Sequence, residues 1–454
     1  MAPFLLPILA PLGACISGSV TKGGAPPLKL SQPRTVNATQ NGGVFCSHST
    51  GKQEFGYVEV SKLNKYFYAA IEADVNPQDA PTFLYLQGGP GTSSMHAALR
   101  VHGPCIMDES GQELEANTYS WTARSNGIWV DAPVPTGFST GPIATNLENF
   151  MLDMVDFVNE FFEKHPNFNK NVHLIGASAS GSVVAMLGAR IAMAAQRKVD
   201  LAGVMVQGGV VSPSSIYQGC WQMAKDRHLL PDEDLNKMAA GLPNCMDQLS
   251  KCNSNGPGKQ PISVLCNQAV ATCQPLVINP LRQRGISFFD VRVPPGDEAR
   301  HYHFNSGRID IFLNDQSVQQ ELHVSKTWTP NNKDVFNAFK RYIAYDATYY
   351  VTALLDKGLK VLVVNGDQDY VTNAVGSLDW MVKLKGALNY GEQLKQVPAK
   401  TVQGATIKAL KYSNAAKLAF IEVTNAGHSV TVYDPSAMQR EVEAFLTGQL
   451  WESA

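Results

Sequence analysis

Charge of either sign is scarce in this chain: 37 Lys and Arg stand against 39 Asp and Glu, a net charge of -2, and only 17% of the 454 residues are charged. So balanced a surface offers no basic field for phosphate backbones or anionic lipid, and neither nucleic acid nor a membrane is expected as a partner. No CxxC pair and no Cys/His spacing of the zinc type occurs, so no metal is expected. Nothing in the sequence calls for a cofactor. Internal repeats and low-complexity tracts are missing, and no stretch reaches the roughly 20 apolar residues that a spanning helix needs. With 44% hydrophobic residues, the chain is long enough to bury one large core or two smaller ones.

The amino terminus, MAPFLLPILAPLGACISGSV, runs apolar from Pro3 to about Ile16 and then turns small and polar. Residues 1–18 are therefore expected to form a secretory signal peptide, with the mature chain secreted or, alternatively, delivered to a vacuole. Cysteines stand at 15, 46, 105, 220, 245, 252, 266 and 273. Losing Cys15 with the signal leaves an odd number, so at least one thiol has no partner within the chain. The crowding of cysteines between 220 and 273 reads as a loop-rich stretch stapled by disulfides. Asn37-Ala38-Thr39 is the N-glycosylation sequon, making Asn37 the candidate acceptor.

Short runs rich in β-branched and aliphatic residues predict buried strands: PTFLYLQ from Pro81, GIWVDAP from Gly127, VHLIG from Val172, LAGVMVQGG from Leu201, KVLVVNGD from Lys360 and LAFIEVTNAG from Leu418. Helical spacing appears over Leu147–Lys164, after Ser178, and from Pro435 through Met438, Val442 and Phe445. This alternation predicts an α/β fold, a mostly parallel sheet covered on both faces. Residues 213–340 break the rhythm and are expected to be a cap inserted between two parts of one core, 19–212 and 341–454. Ligands in such sheets bind beyond the carboxyl ends of strands, where an insertion would roof the site.

Three strand ends carry the chemistry. The run VHLIG leads into Ala177-Ser178-Ala179-Ser180-Gly181 and then a helix, which places Ser178 at a tight strand-to-helix turn. A Gly/Ser turn capping an ordinary helix would look the same, and Ser180 stands where strict GxSxG has its second glycine. KVLVV ends in Asn365-Gly366-Asp367-Gln368-Asp369, and LAFIEVT in Asn425-Ala426-Gly427-His428. The order Ser, Asp, His is that of α/β-hydrolases: a serine hydroxyl needs an imidazole base, and the base needs a carboxylate to fix its tautomer. Asp369 is the expected acid, with Asp367 as rival or turn cap. In Gln87-Gly88-Gly89-Pro90-Gly91, glycines let backbone N–H groups approach a bound oxygen, so Gly89 and Ala179 are candidate oxyanion donors.

FGYVEV, FLYLQGGPGTSS, HGPC, YSW, NGIWVDAPVPTGFS, GASASG, FLNDQSVQQELHV, NGDQDYVTN and AGHSV follow one another in an order that resembles the serine carboxypeptidase family, of the carboxypeptidase Y type. The similarity runs from Phe55 to about Leu446. It implies an α/β-hydrolase fold with Ser178 as nucleophile, His428 as base, Asp369 as orienting acid, and Gly89 with Ala179 as the oxyanion hole. Tyr85, Gln87, Gly88, Val101 and Ala177 fall where the family meets its substrate.

There the chain departs from the pattern. Family members grip the substrate's free carboxylate with a Trp, an Asn and two Glu; Tyr85, Gln87, Ala177 and Val101 occupy those places. Two close carboxyls share a proton at acid pH and can then bind a carboxylate, so their loss removes both that grip and the source of an acidic optimum. His102, next to Val101, offers a possible positive charge at low pH. The expected function is a serine hydrolase working through an acyl-enzyme on a peptide or small acyl substrate. Alternatives are an esterase or acyltransferase and a non-catalytic binding homologue.

Overall fold

The computed structural model describes residues 45–108, 113–144, 146–297 and 306–452. The signal at 1–18, Cys15 and Asn37 lie outside them. In chain order the strands are β1 (Gln53–Glu59), β2 (Lys65–Ile71), β3 (Thr82–Leu86), β4 (Cys105–Met107), β5 (Leu114–Ala116) and β6 (Asn126–Val130). There follow β7 (Val172–Ala177), β8 (Leu201–Gln207), β9 (Lys360–Gly366), β10 (Lys400–Val402), β11 (Ala405–Lys411) and β12 (Lys417–Val423). Ten of these form one sheet in the order β1-β2-β6-β3-β7-β8-β9-β12-β11-β10. From β6 to β12 every neighbour is parallel, and the antiparallel pairs lie at the two edges. The fold is an α/β-hydrolase.

The central strands read as continuous apolar runs because both faces are covered. Leu84, Val130, Leu174, Val204 and Val363 look towards α2 (Leu147–Lys164) and α3 (Ser180–Met193), meeting Met154, Phe157, Phe161, Val184 and Leu187. Their chain neighbours Phe83, Trp129, Ile175, Met205 and Leu362 face the other way, onto Val442 and Phe445 of the helix Pro435–Thr447. Asn146 caps α2 by accepting from Asn149 N at 2.8 Å, and Glu148 and Lys164 match the helix dipole at either end. These helices fall where the apolar spacing predicted them.

Among the described residues no strand falls between β8 and β9, and here one expectation is corrected. The cysteine-rich stretch is helical, not loop-rich: α4 (Pro213–Asp226), α5 (Asp232–Cys252) and α6 (Ser263–Gln283). Buried Cys245, Leu249 and Cys252 line one face of α5, and the cysteines double as helix-packing residues. Internal Pro243, Pro275 and Pro280 disguise the helices in the sequence. Cys245–Cys273 and Cys252–Cys266 bolt α5 to α6, and Cys46–Cys105 ties the amino-terminal region to β4. Such bonds suit a protein matured in an oxidising compartment. Among the described residues Cys220 is the one cysteine outside a disulfide; it is buried, donates to Tyr370 O at 3.2 Å, and burial pushes its pKa up, so it stays a thiol. Among the described residues no helix is long and apolar enough to cross a membrane.

Because Cys245–Cys273 closes a 28-residue separation, replacing both by Ala should cost about 3.5 kcal/mol, mostly through the unfolded chain. Guanidinium unfolding without reductant measures this, and an unchanged midpoint would show that α5 and α6 hold together without the bond.

Candidate active site

Ser178 sits between the end of β7 and the start of α3 with φ at +52°, in the left-handed region that side-chain-bearing residues rarely adopt. Its N–H donates to Gln207 O at 3.0 Å, and its carbonyl accepts from Gly181 N at 3.0 Å and Val210 N at 3.3 Å. These bonds lash the turn to the end of β8. The departure from GxSxG has a structural use: the Ser180 hydroxyl donates to Gln87 O at 2.7 Å, joining the first turn of α3 to the glycine loop after β3. Nothing in the sequence pattern signalled that bond.

Asp369 and His428 lie beyond the carboxyl ends of β9 and β12, which are parallel neighbours in register from Lys417↔Lys360 to Val423↔Gly366. That pairing sets the two loops side by side. Asp369 is fully buried, and its Oδ2 stands 2.9 Å from His428 Nδ1. A carboxylate only accepts, so Nδ1 carries the ring proton and Nε2 is left as the base. The rival acid faces elsewhere: Asp367 Oδ1 accepts from Ala426 N at 3.1 Å and pins the histidine loop to the aspartate loop. A group missed in the sequence joins the couple, because the Thr372 hydroxyl donates to Asp369 Oδ2 and lies 3.0 Å from His428 Nδ1.

The end of β8 brings the serine and the histidine to one place. A methyl on Gly208 would lie 3.5 Å from His428 Nδ1, and one on Gly209 would lie 3.2 Å from Ser178 O. No hydrogen bond joins Ser178 Oγ to His428 Nε2 among the described residues; such contacts commonly tighten only with substrate in place.

Gly88 packs so closely on the turn that a Cβ there would come 2.6 Å from Ser178 Cβ and 3.0 Å from Ala179 N. Gly89 follows at φ +113°, a conformation that requires glycine. Among the described residues, neither Gly89 N–H nor Ala179 N–H donates to a protein acceptor. Behind this loop, buried Asp131 acts as a hub: Oδ1 accepts from Ser93 Oγ at 2.6 Å and Ser94 N at 2.8 Å, and Oδ2 from Phe138 N at 2.9 Å. Burial pushes its carboxyl up to about 6 against the opposing pull of those bonds.

A short segment after α6 clamps both loops of the couple. Phe288 O accepts from Tyr370 N at 3.2 Å and Val371 N at 2.9 Å, and Val291 N donates to Gln368 O at 3.1 Å. Phe289 O accepts from His428 N at 2.8 Å, while its exposed ring lies 5.2 Å from the imidazole.

The family model for serine carboxypeptidases matches residues 45–448. The chain belongs to the serine carboxypeptidase family. Serine carboxypeptidase-like 47 of Arabidopsis thaliana is 27% identical over 416 residues, 88% of this chain and 80% of that one. Carboxypeptidase Y of Schizosaccharomyces pombe is 25% identical over 427 residues, 88% of this chain but 42% of that longer protein. Among solved structures, Kex1(delta)p, a prohormone-processing carboxypeptidase from Saccharomyces cerevisiae, superposes with a TM-score of 0.74 over 88% of this chain and 92% of that chain. Its 18% identity makes this a likeness of fold.

Membership makes the chain a serine hydrolase. Tyr85 is buried and its hydroxyl donates to Gln87 Oε1 at 2.6 Å, so these two side chains satisfy each other. Ala177 ends β7, buried; Val101 is half-buried at the end of α1 (Met95–Arg100). The idea of a charged His102 is overturned. It is fully buried, stacked on Trp121 with ring centroids 4.0 Å apart, edged by Tyr85 at 4.5 Å, and its Nδ1 accepts from Trp129 Nε1 at 3.3 Å. Burial pushes it down to about 3, and Nε2 has no partner among the described residues. It is neither a cation nor a solvated loop histidine but part of an aromatic core.

The sign of the pH effect follows from that lowered value. An unfolded chain protonates this ring near pH 6.5 while the folded one resists until about 3, so stability is held above 6.5 and drains as pH falls between them. His102→Phe should flatten the fall in unfolding free energy between pH 6.5 and 4 by about 2–3 kcal/mol. Equal slopes for variant and parent in urea titrations across that range would contradict it.

Proposed function

We propose that the chain hydrolyses acyl compounds through a covalent acyl-enzyme, with Ser178 as nucleophile, His428 as general base and Asp369 as its orienting acid. The observation that carries this is the buried Asp369 carboxylate 2.9 Å from His428 Nδ1, at strand ends beside a serine held at φ +52°. In this mechanism His428 Nε2 takes the Ser178 proton as Oγ bonds to the substrate carbonyl carbon. The carbonyl oxygen, now negative, is held between Gly89 N–H and Ala179 N–H, neither of which donates to an acceptor among the described residues. As the intermediate collapses, the scissile bond breaks and His428 gives its proton to the leaving group. Water then repeats the cycle on the acyl-Ser178 ester and releases the acid.

Family membership makes peptides with a free carboxyl terminus the default substrate, and the names of the relatives agree with it. Apolar Val101 and Ala177, with a neutral His102 behind them, favour a second reading: esters, amides or acyl transfer, in which the leaving group carries no carboxylate. Tyr85, Gln87 and Gly88 complete that leaving-group region, with residues 213–340 as its cap. The cap's Phe289 lies beside the imidazole. Secretion, or delivery to a vacuole, is consistent with the three disulfides.

An N-blocked peptide, its C-terminal amide and a matched ester should be turned over at kcat/KM values within about a hundredfold of one another, since a site without polar partners discriminates weakly. A thousandfold preference for the free acid with an acidic optimum would restore strict carboxypeptidase specificity. Ser178→Ala should cut kcat by at least about 10^4 and abolish fluorophosphonate labelling.

A further inference from the structure

The histidine–aspartate couple contains a third member. Asp369 Oδ2, Thr372 Oγ1 and His428 Nδ1 form a closed triangle, with the ring nitrogen 2.9 Å from the carboxylate oxygen and 3.0 Å from the hydroxyl, which itself bonds to the carboxylate. Thr372 is buried, and its backbone N–H also donates to Asp369 Oδ1 at 3.2 Å. One residue therefore grips both oxygens of the acid. Asn365, itself buried at the end of β9, donates its side-chain amide to the Thr372 carbonyl and holds the clamp in place.

A hydroxyl has one proton and two lone pairs. Spending the proton on the carboxylate, the strongest acceptor present, leaves a lone pair facing Nδ1–H, so the ring proton is shared between Asp369 Oδ2 and Thr372 Oγ1. The opposite arrangement, with Thr372 donating to Nδ1, would place the ring proton on Nε2 and disable the base. We infer that Thr372 is a positioning residue of the catalytic couple: it locks the carboxylate, enforces the working tautomer and divides the ring proton between two oxygens. This rests on the triad reading above.

Valine is close to threonine in shape and lacks the hydroxyl, so Thr372→Val isolates the effect. The expected result is a kcat lower by about tenfold with little change in KM, the rate equivalent of one charge-assisted hydrogen bond. The far-downfield proton resonance of the ring N–H should move further downfield, because the proton then belongs to the carboxylate alone. Thr372→Ser should restore both, which a purely space-filling role would not allow, and Thr372→Ala substitutes if the valine variant fails to fold. Unchanged kcat and resonance in a folded Val or Ala variant, or a serine variant as impaired as valine, would overturn the assignment. A Ser178→Ala control run beside them keeps the two ideas separate: retained activity and labelling there would sink the triad itself, whereas their loss with an unaffected Thr372→Val sinks only the clamp.

Discussion

A carboxylate with no exposure to solvent is expensive unless its oxygens are occupied by donors. Asp369 meets that demand with the Thr372 backbone and hydroxyl and with the His428 ring. Much of the local structure serves this one arrangement. Parallel pairing of β9 and β12 brings the two loops together, Asp367 ties them, and the Phe288–Val291 backbone closes over both. Even the unpaired Cys220 takes part as packing, donating to the carbonyl of the residue after Asp369.

The serine side of the site is built by a different device, close approach of backbones. The turn at Ser178 is strapped to the end of β8, while Gly88 lies so near that no side chain would fit between them. Asp131 and Ser180 hold the glycine loop from behind and from the side. Preorganised donors of this kind need a rigid frame, because their value lies in not having to move when charge develops. A parallel sheet packed on both faces supplies that frame.

Beyond the end of β3 the polar and aromatic side chains turn inward and satisfy one another. Tyr85 bonds Gln87, and His102 has become a member of an aromatic stack with Trp121, Trp129 and Tyr85.

The six strands legible as apolar runs, from Pro81, Gly127, Val172, Leu201, Lys360 and Leu418, are the six parallel strands buried on both faces. Their composition alone declares them, and with them the strand ends that carry Ser178, Asp369 and His428. The edge strands β1, β2, β10 and β11 did not announce themselves, because hairpin pairing tolerates mixed and alternating sequences. Prolines hid α5 and α6, whose stability comes from disulfides and packing more than from propensity. Local pattern therefore determined the elements and the order of the reactive groups, since both depend on neighbours along the chain. Only the tertiary structure decided which aspartate meets His428, that Thr372 stands between them, and that His102 is buried and neutral. Those outcomes depend on contacts between segments far apart in sequence and on the loss of water around them.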